Sequence, residues 1–283
     1  MALVRTGPVA IIAGNGSFPL EIATALSAQG DTCFIVGLRG FAERGIRRFD
    51  HVYADMLDPQ RILETLRGIG ARGVVLAGGV NRPGPTAALS IYSFFRHRTE
   101  LKRILAGGDD HLLRGVISLF EEAGFPVLGV DDVAPGVLAG EGLLGSVEYA
   151  AQSATDISLG IEFLKVIGHY DIGQGVVVGD GRIIAVEGPE GTDSMLQRVT
   201  QMRKAKRLRL QHDQPVLVKV PKPTQDRRVD LPAIGPRTIE SARRSGMSGI
   251  AVAAGDVVLV EREKLISRAD EAGVFLVGVR ARG

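Results

Sequence analysis

The segment Pro8-Val-Ala-Ile-Ile-Ala-Gly-Asn-Gly-Ser-Phe-Pro19 decides the fold of the first half of the chain. Its apolar run is too short for the hydrophobic region of a signal peptide and is typical of a strand buried on both faces of a sheet. The glycine-rich turn that follows opens a helical pattern, and such a turn offers backbone N–H groups to a phosphate. The segment therefore predicts a strand, a ligand-binding loop and a helix in succession.

The same alternation of apolar runs and helical patterns continues as far as residue 130. The predicted strands are Val9–Ala13, Cys33–Val36, Val74–Ala77 and Val127–Val130. The predicted helices are Leu20–Gln29, Pro59–Gly70, Arg98–Ala106 and His111–Gly124. This alternation predicts a doubly wound, Rossmann-like parallel sheet, in which ligands bind beyond the carboxyl ends of the strands.

The second half of the chain mixes strands and helices after a glycine-rich stretch. The turn Gly179-Asp-Gly181, between the apolar runs Val176–Val178 and Ile183–Val186, predicts a β-hairpin. The other predicted elements are helices Val147–Gly168, Thr238–Arg243 and Lys264–Ala272 and strands Pro215–Val220, Ile250–Ala253, Val257–Val260 and Val274–Val277. We therefore predict an α/β protein with a Rossmann-like nucleotide-binding domain at residues 1–133, a linker at 134–146 and a mixed α/β catalytic domain at 147–283.

The composition excludes several classes of protein. With 283 residues, 45% of them apolar, the chain has ample material for a core, and a net charge of +2 argues against wholesale nucleic-acid binding. Cys33 is the only cysteine, so a disulfide framework is excluded and a cytoplasmic location is expected. No apolar run approaches the roughly 20 residues of a membrane span, so we expect a soluble protein that at most lies against a membrane.

One charged segment stands out, because residues 198–209 carry six basic side chains and no acid. A solvated helix face, a phosphate site and a surface that contacts an anionic membrane all fit this pattern. The sequence alone leaves the three interpretations open.

Three loops of the first half are predicted at the ligand-binding edge of the sheet. They are Gly14-Asn-Gly-Ser17, Gly78-Gly-Val-Asn-Arg82 and Gly107-Gly-Asp-Asp110. A dinucleotide-binding fingerprint would need glycine at Pro19 and an acid near Arg39, so NAD binding is disfavoured while a phosphate or nucleotide stays open. The paired acids of the third loop fit either ligand binding or an N-cap that stabilises a helix through its dipole.

The most heavily charged loop of the second half lies between Val218 and Gly235, where Pro221 and Pro223 end a predicted strand. Prolines restrict this loop more than an ordinary surface turn, although a solvated turn with surface ion pairs has the same composition. A second acidic loop, Glu187–Asp193, leads into the basic segment. Carboxylates beside basic side chains suit metal-assisted phosphoryl transfer, in which acids hold Mg²⁺ or Mn²⁺ and cations neutralise phosphate oxygens.

The sequence blocks in these loops resemble those of the LpxI-type UDP-2,3-diacylglucosamine pyrophosphatases of lipid A synthesis. The blocks are Ala185-Val-Glu-Gly-Pro-Glu-Gly-Thr-Asp193, Lys219-Val-Pro-Lys-Pro-Thr-Gln-Asp226 and Asp230-Leu-Pro-Ala-Ile-Gly235, together with the loops of the first half. The resemblance implies hydrolysis of UDP-2,3-diacylglucosamine to UMP and 2,3-diacylglucosamine 1-phosphate (lipid X) with Mg²⁺ or Mn²⁺. It also implies a substrate held between two domains, a homodimer and an essential aspartate at Asp226.

The resemblance and the loop chemistry together give the predicted site residues. The predicted catalytic residues are Lys219, Gln225 and Asp226. The predicted substrate-binding residues are Gly14, Asn15, Gly16, Ser17, Gly79, Asn81, Arg82, Asp109, Asp110, Gly188, Glu190, Thr192, Lys222 and Arg228. The predicted metal ligands are Glu187, Glu190, Asp193 and Asp230.

A lipid substrate suggests a use for two further segments. Leu89-Ser-Ile-Tyr-Ser-Phe-Phe95 fits a crevice for acyl chains or an ordinary core, and the basic segment near Arg203–Arg209 fits a docking surface on the inner membrane. Two other functions stay open. Detectable NADH binding would favour a nicotinamide-dependent oxidoreductase, and metal-independent binding of a UDP-sugar without release of UMP would favour a non-catalytic sensor.

Overall fold

The computed structural model describes residues 6–80, 109–170, 172–212, 214–223 and 225–281, with the backbone alone at residues 109–112. The chain divides into two compact units, Met1–Pro135 and Gly136–Gly283, which we call unit 1 and unit 2. Both units combine helices with a sheet that contains parallel strands, so the predicted α/β fold class is confirmed.

Unit 1 is built on a four-stranded parallel sheet. Its strands are β1 Val9–Ala13, β2 Cys33–Leu38, β3 His51–Ala54 and β4 Gly73–Ala77. Its helices within the described ranges are α1 Phe18–Ala28, α2 Pro59–Gly68, α3 Asp109–Glu122 and α4 Val130–Val133. The strand order is β3-β2-β1-β4, and every residue of β1 is buried, as expected for a strand covered on both faces.

The centre of this sheet is a topological switch point. β1 pairs with β2 on one side and with β4 on the other. The chain completes β2 and β3 on the first side before it crosses to β4, so the direction of winding reverses between β1 and β4. Such a reversal leaves a crevice at the carboxyl ends of the two strands, where the loops Gly14–Ser17 and Gly78–Val80 begin.

Strand β3 was missed by the sequence analysis. It contains only four residues, none of them fully buried except Ala54, and its first residue is His51. So short a segment, which begins with a histidine and is mostly half-buried, lacks the longer apolar run by which the other strands were recognised. The predicted helix Arg98–Ala106 lies outside the described residues.

The predicted strand Val127–Val130 is wrong. Val127 forms a single parallel bridge with Val74, and Val130 already begins α4. The amide of Gly129 donates a hydrogen bond of 3.1 Å to the carboxylate of Asp132, and this capping contact favours a helix start over a continued strand.

Unit 2 is built on a six-stranded mixed sheet. Its strands are β5 Gly142–Leu143, β6 Gly175–Gly179, β7 Arg182–Val186, β8 Val216–Lys219, β10 Gly249–Ala253 and β12 Phe275–Val279, and a separate parallel pair is formed by β9 Ala233–Ile234 and β11 Val258–Leu259. Its helices within the described ranges are α5 Ala151–Ile167, α6 Gly191–Lys204, α7 Pro236–Arg244 and α8 Arg262–Glu271. The order is β5-β12-β10-β8-β6-β7, with β8, β10 and β12 parallel and with β5 and β6 antiparallel to β12 and β8.

The hairpin of β6 and β7 forms as predicted. Asp180 and Gly181 have φ angles of 51° and 67°, the left-handed conformation of the turns that suit two-residue hairpins. The carboxylate of Asp180 accepts a hydrogen bond of 3.3 Å from the amide of His212 and lies 2.9 Å from its Nδ1. The side-chain hydrogen bond with His212 is the main cause of a lowered pKa at Asp180, and the hairpin thereby anchors the segment that follows α6.

The segment 134–146, predicted as a linker, is hydrogen-bonded into unit 2 over part of its length. β5 pairs with β12, the amide of Ala139 donates to the carbonyl of Val257 at 2.8 Å, and the amide of Gly255 donates to the carbonyl of Ala139 at 2.8 Å. The sheet thus satisfies backbone polar groups of this segment. The high glycine content of the segment concealed this pairing in the sequence. Helix α5 begins at Ala151 and not at Val147.

The core of unit 2 surrounds its central strands. β8 and β10 are buried at every residue, and α5 packs so closely on the sheet that a β-carbon placed on Gly160 would lie 2.7 Å from Cγ2 of Val218. None of the helices in the described ranges is both long enough and apolar enough to cross a bilayer.

We expect the change Leu217→Ala to lower the free energy of unfolding by about 2–5 kcal/mol, because Leu217 is fully buried in a central strand. Urea unfolding followed by circular dichroism measures this loss. Leu143→Ala, at a partly exposed position of β5, is the control and is expected to change the free energy by less than about 1 kcal/mol. Equal losses in the two variants would contradict this assignment of the core.

Candidate active site

Several loops of unit 2 leave its sheet at one edge. β7 and β8 are both antiparallel to β6, so they end at the same edge, and the parallel strand β10 ends there too. The loops that begin there cover residues 187–190, 220–232 and 254–257. Two of them contain the acidic and the proline-bounded sequence blocks. We call this edge the carboxyl edge of unit 2.

A buried lysine lies at the centre of the carboxyl edge. Lys219 is the last residue of β8, and its Nζ donates a hydrogen bond of 2.6 Å to Oγ1 of Thr192 in the first turn of α6. Oγ1 of Thr192 donates in turn to Oε1 of Glu187 at 3.0 Å. Nζ of Lys219 lies 3.6 Å from Oε2 of Glu187, which is an ion-pair distance and too long for a hydrogen bond. We call these three residues the Lys219 cluster.

The neighbouring strand leaves room for the Lys219 cluster. Gly175 lies opposite Lys219 in β6, and a β-carbon placed on it would lie 2.4 Å from Oε2 of Glu187. The amide of Glu187 also donates to the carbonyl of Gly175 at 2.9 Å. A larger residue at position 175 would therefore displace the Glu187 carboxylate from the cluster.

Burial sets the electrostatics of the Lys219 cluster. Loss of hydration lowers the pKa of Lys219 by more than the nearby carboxylates of Glu187 and Asp193 raise it. Oε2 of Glu187 is buried and makes no hydrogen bond with any residue that the structure describes. A buried ammonium beside an incompletely bonded carboxylate is typical of a site that receives a polar ligand.

The loop that follows β8 folds around Gln225. Gln225 is buried, and its side-chain Oε1 accepts a hydrogen bond of 3.0 Å from the backbone N–H of Lys222. The backbone N–H of Gln225 donates to the carbonyl of Lys222 at 3.3 Å. Its Nε2 is buried and has no hydrogen-bond partner within the described part of the chain. The side-chain amide is therefore positioned as a donor for a ligand oxygen.

Asp226 is held by the arginine two residues further on. Nε and Nη2 of Arg228 donate to Oδ1 and Oδ2 of Asp226 at 3.0 and 2.7 Å, a bidentate pair that fixes the plane of the carboxylate. The amide of Asp230 donates to the carbonyl of Asp226 at 3.0 Å. Arg227 points elsewhere, because its Nη1 donates to Oδ1 of the buried Asp256 at 2.7 Å. The loop is thereby tethered to the segment that follows β10.

Acids predicted as metal ligands are paired with basic side chains. Glu190 lies 2.5 Å from Arg198, and Asp193 lies 2.8 Å from Arg237. The pKa of Glu190 is lowered, mainly by its own backbone amide and then by the charge of Arg198. Among the described residues no three acidic, histidine or cysteine side chains converge as a metal centre, so the four predicted ligands are not assembled into one.

One oxygen of the Lys219 cluster nevertheless suits a magnesium ion. Oε2 of Glu187 is a buried carboxylate oxygen that lacks a hydrogen bond within the described ranges. Magnesium that is also bound by substrate phosphates needs only one or two carboxylates from the protein. The donor set at the carboxyl edge fits that mode of binding and does not form a cage made of protein ligands alone.

In unit 1 the loops after β1 and β4 are joined through their backbones. Asn15 and Gly79 exchange two hydrogen bonds, of 2.8 and 3.0 Å. A β-carbon placed on Gly14 would lie 2.6 Å from the carbonyl oxygen of Gly79, so the two loops approach as closely as glycine permits. The amino end of α1 follows at once, where a helix offers backbone amides to an anion. Predicted substrate-binding residues that the structure brings together here are Gly14, Asn15, Gly16, Ser17 and Gly79.

The other predicted site residues have different outcomes. Asn81, Arg82 and the run Leu89–Phe95 lie outside the described residues. The predicted helix His111–Gly124 corresponds to α3, which is described from Asp109 onward, and the side chains of Asp109 and Asp110 are not described. Gly188 lies against Glu190, since a β-carbon on Gly188 would lie 2.5 Å from Oε2 of Glu190.

Asp256 is a residue of the carboxyl edge that the sequence analysis missed. It follows β10 in the sequence Ala-Gly-Asp, which resembles an ordinary turn. The signal that points to it is an acid at the carboxyl end of a predicted parallel strand, the position where α/β sheets place functional groups.

Two protein families match the chain in succession. The LpxI N-terminal domain matches residues 8–137, and the LpxI C-terminal domain matches residues 140–277. A protein of Caulobacter vibrioides named UDP-2,3-diacylglucosamine pyrophosphatase LpxI is 38% identical over 269 residues, which are 95% of this chain and 96% of that protein. The resemblance found in the sequence blocks is thereby confirmed.

The change Thr192→Val keeps the shape of the side chain and removes the oxygen that links Lys219 to Glu187. We expect the free energy of unfolding to fall by about 1–3 kcal/mol, because buried charged groups lose hydrogen bonds. Urea unfolding measures the change. Thr200→Val is the matched control on the same helix, since its hydroxyl bonds to the carbonyl of Leu196, and a change within about 0.5 kcal/mol is expected there. Equal changes would show that the cluster adds no stability.

The lowered pKa of Lys219 predicts a dependence of stability on pH. The unfolded chain holds this proton up to a pKa near 10.5, and the folded chain loses it at lower pH. The charged Lys219 therefore lowers the free energy of unfolding by its full amount at any pH below its pKa in the folded chain. This loss disappears as the pH rises from that pKa to the pKa in the unfolded chain. An NMR titration of ¹³C-labelled lysines, with Lys219→Met to assign the resonance, is expected to show proton loss below 10.5. A midpoint at or above that value would contradict the burial of the ammonium.

Proposed function

Because this chain belongs to the LpxI family, we propose that it hydrolyses UDP-2,3-diacylglucosamine to UMP and lipid X in lipid A synthesis. The observation that carries the proposal is the similarity to the Caulobacter vibrioides pyrophosphatase along 95% of the chain. In this reaction the oxygen of a water molecule bonds to one phosphorus of the pyrophosphate, and the bond from that phosphorus to the bridging oxygen breaks.

We assign the binding of pyrophosphate oxygens to Lys219 and Gln225. An ammonium in a water-excluded site attracts a phosphate oxygen far more strongly than it does in water. Thr192 and Glu187 hold that ammonium at the end of β8, so it is in place before the charge on the leaving phosphate develops. Nε2 of Gln225 adds a neutral hydrogen-bond donor in the adjoining loop.

We assign the attacking water to Asp226. Its carboxylate is held in one orientation by the bidentate contact with Arg228. An aspartate with a pKa near 3.9 is a weak base towards water, whose pKa is about 15.7. Asp226 therefore acts first by orienting the water and accepts its proton as the new bond to phosphorus forms.

We propose that the enzyme uses Mg²⁺ or Mn²⁺ as its cofactor. Glu187 is the leading candidate ligand of this ion, followed by Glu190, Asp193 and Asp230. A bound divalent ion supplies charge neutralisation at the phosphates and a lower pKa for a bound water. The unbonded Oε2 of Glu187 supports this choice.

Location and assembly complete the proposal. A substrate with two acyl chains resides in a bilayer, so we propose that the protein works in the cytoplasm as a homodimer that contacts the inner membrane. Light scattering of the purified protein tests the dimer, and a monomer at assay concentrations would remove that part of the proposal.

Purified protein incubated with UDP-2,3-diacylglucosamine and Mg²⁺ is expected to release UMP and lipid X in equal amounts. EDTA is expected to stop the release, and added Mg²⁺ to restore it. Mass spectrometry of both products, with the reaction run in ¹⁸O-labelled water, identifies the phosphorus that is attacked. Binding of the UDP-sugar without release of UMP under any metal would favour a sensor, and NADH binding would favour an oxidoreductase.

The change Asp226→Asn is expected to lower kcat by about 100-fold or more, because the group that orients and deprotonates water is lost. Binding of the substrate, measured by calorimetry, is expected to persist because the fold and Lys219 are unchanged. Glu141→Gln, which alters an exposed pair with Arg280, is the control and is expected to keep normal turnover. Near-normal turnover in Asp226→Asn would refute the role given to this residue.

A further inference from the structure

Exposed apolar side chains are concentrated in one short segment of unit 2. Val166, Tyr170 and Ile172 are 60%, 69% and 38% exposed. They are half of the large apolar residues that are exposed in the described part of the chain, the others being Val80, Leu143 and Tyr149. We call these three side chains the apolar ridge. Val166 lies in the last turn of α5, and Tyr170 ends the 3-10 turn Gly168–Tyr170 that continues this helix.

The apolar ridge lies beside the proposed active site. A β-carbon placed on Gly168 would lie 2.4 Å from Cδ of Pro223, so the turn that carries Tyr170 rests against the loop that contains Asp226. The amide of Gly173, directly after Ile172, donates to the carbonyl of Glu187 at 3.0 Å. The ridge therefore belongs to the carboxyl edge of unit 2.

Arg198, the first residue of the basic segment, pairs with Glu190 at the carboxyl edge, but the rest of the segment, from Arg203 onward, lies at the opposite edge of the same sheet. Helix α6 ends at Lys204, and the chain then runs to the amino end of β8, whereas Lys219 is at the carboxyl end. The guanidinium of Arg203 lies against Gly246, in the segment that leads to the amino end of β10. A membrane bound by this segment would face the edge of unit 2 that lacks the Lys219 cluster.

We propose that the apolar ridge docks the protein on the surface of the bilayer that holds its diacyl substrate. This inference rests on the proposed function, since the lipid nature of the substrate identifies a bilayer as the occupant. Exposed apolar side chains beside a site that binds a lipid can insert at the boundary between lipid headgroups and acyl chains. A tyrosine suits the level of the headgroups because its ring is apolar and its hydroxyl is polar.

The charges near the apolar ridge are of both signs, and in the sequence Asp171 stands between Tyr170 and Ile172. Lys165 precedes Val166, and Lys222 precedes Pro223 in the adjoining loop. Glu162, one turn earlier on α5, is an exposed acid on the same helix and opposes them in part. Apolar contact is therefore the main attraction, and the docking is expected to depend less on salt than binding through the basic segment would.

The test compares two double variants of the full chain. Val166→Ser with Tyr170→Ser removes most of the ridge at exposed positions, and Lys204→Gln with Arg207→Gln weakens the basic segment. Co-sedimentation with vesicles of phosphatidylethanolamine and phosphatidylglycerol, without substrate, measures docking. We expect the ridge variant to bind about 10-fold less than the wild type, from the loss of buried apolar area, and the basic-segment variant to bind within about 3-fold of it.

Hydrolysis rates separate docking from catalysis. On substrate embedded in these vesicles the ridge variant is expected to lose activity in parallel with its binding, and on substrate dispersed in detergent micelles it is expected to keep the wild-type rate. Thermal unfolding of the variants checks that the fold is unchanged. If no form of the protein releases UMP, the proposed function fails, while a loss of vesicle binding in the ridge variant still supports the docking.

Four results of the vesicle and hydrolysis assays would overturn the docking. Three of them concern vesicle binding: no binding by the wild type, normal binding by the ridge variant, or a larger loss of binding in the basic-segment variant than in the ridge variant. The fourth is a rate of the ridge variant that falls as much on micelles as on vesicles, which would make the ridge part of the substrate site. Dissociation of a wild-type dimer by the ridge substitutions, measured by light scattering without vesicles, would identify a second copy of the chain as the occupant instead.

Discussion

Burial of one positive charge determines the arrangement of the carboxyl edge of unit 2. The ammonium of Lys219 has left water at the end of β8, and the lost hydration has to be replaced by groups that stay in place. Thr192 does so by bringing the amino end of α6 against the strand, and Glu187 does so from the end of β7. Glu187 in turn occupies the space above Gly175 in β6. Three strands and a helix are therefore fixed to one another by a single side chain and its partners.

The sequence predicted the strands that have the same degree of burial along their whole length. β1 and β8 are buried at every position, so an apolar run identifies them without knowledge of their neighbours. The turn at Asp180 was predictable because only a few residue types adopt its conformation readily. β3 and β5 were missed because their pairing comes from the adjacent strand and not from their own composition. Local chemistry also decided against the strand predicted at Val127–Val130, where a capping aspartate starts a helix.

The position of the candidate site was predictable, and the partners within it were not. Lys219, Gln225 and Asp226 stand in one sequence block, so their proximity follows from the chain itself. Pairing between distant segments is different, because Asp193 meets an arginine 44 residues away and Arg227 meets an acid 29 residues away. A carboxylate in a sequence is equally suited to a metal ion or to a guanidinium, and the fold decides which cation is within reach. This is why two of the predicted metal ligands, Glu190 and Asp193, are found in ion pairs.

The short strand β5 has a consequence for how unit 2 is isolated as a separate fragment. It covers the outer side of β12, where Leu143 and Gly142 pair with Val277 and Gly278. A fragment that starts at residue 147, the boundary suggested by composition, would lack this strand and would leave the backbone N–H and C=O groups of β12 without partners on that side. An uncovered strand edge is a template for pairing with another chain, and such a fragment, which also lacks the core residue Ala139, would tend to aggregate. A fragment that begins at Gly136 keeps β12 covered by β5.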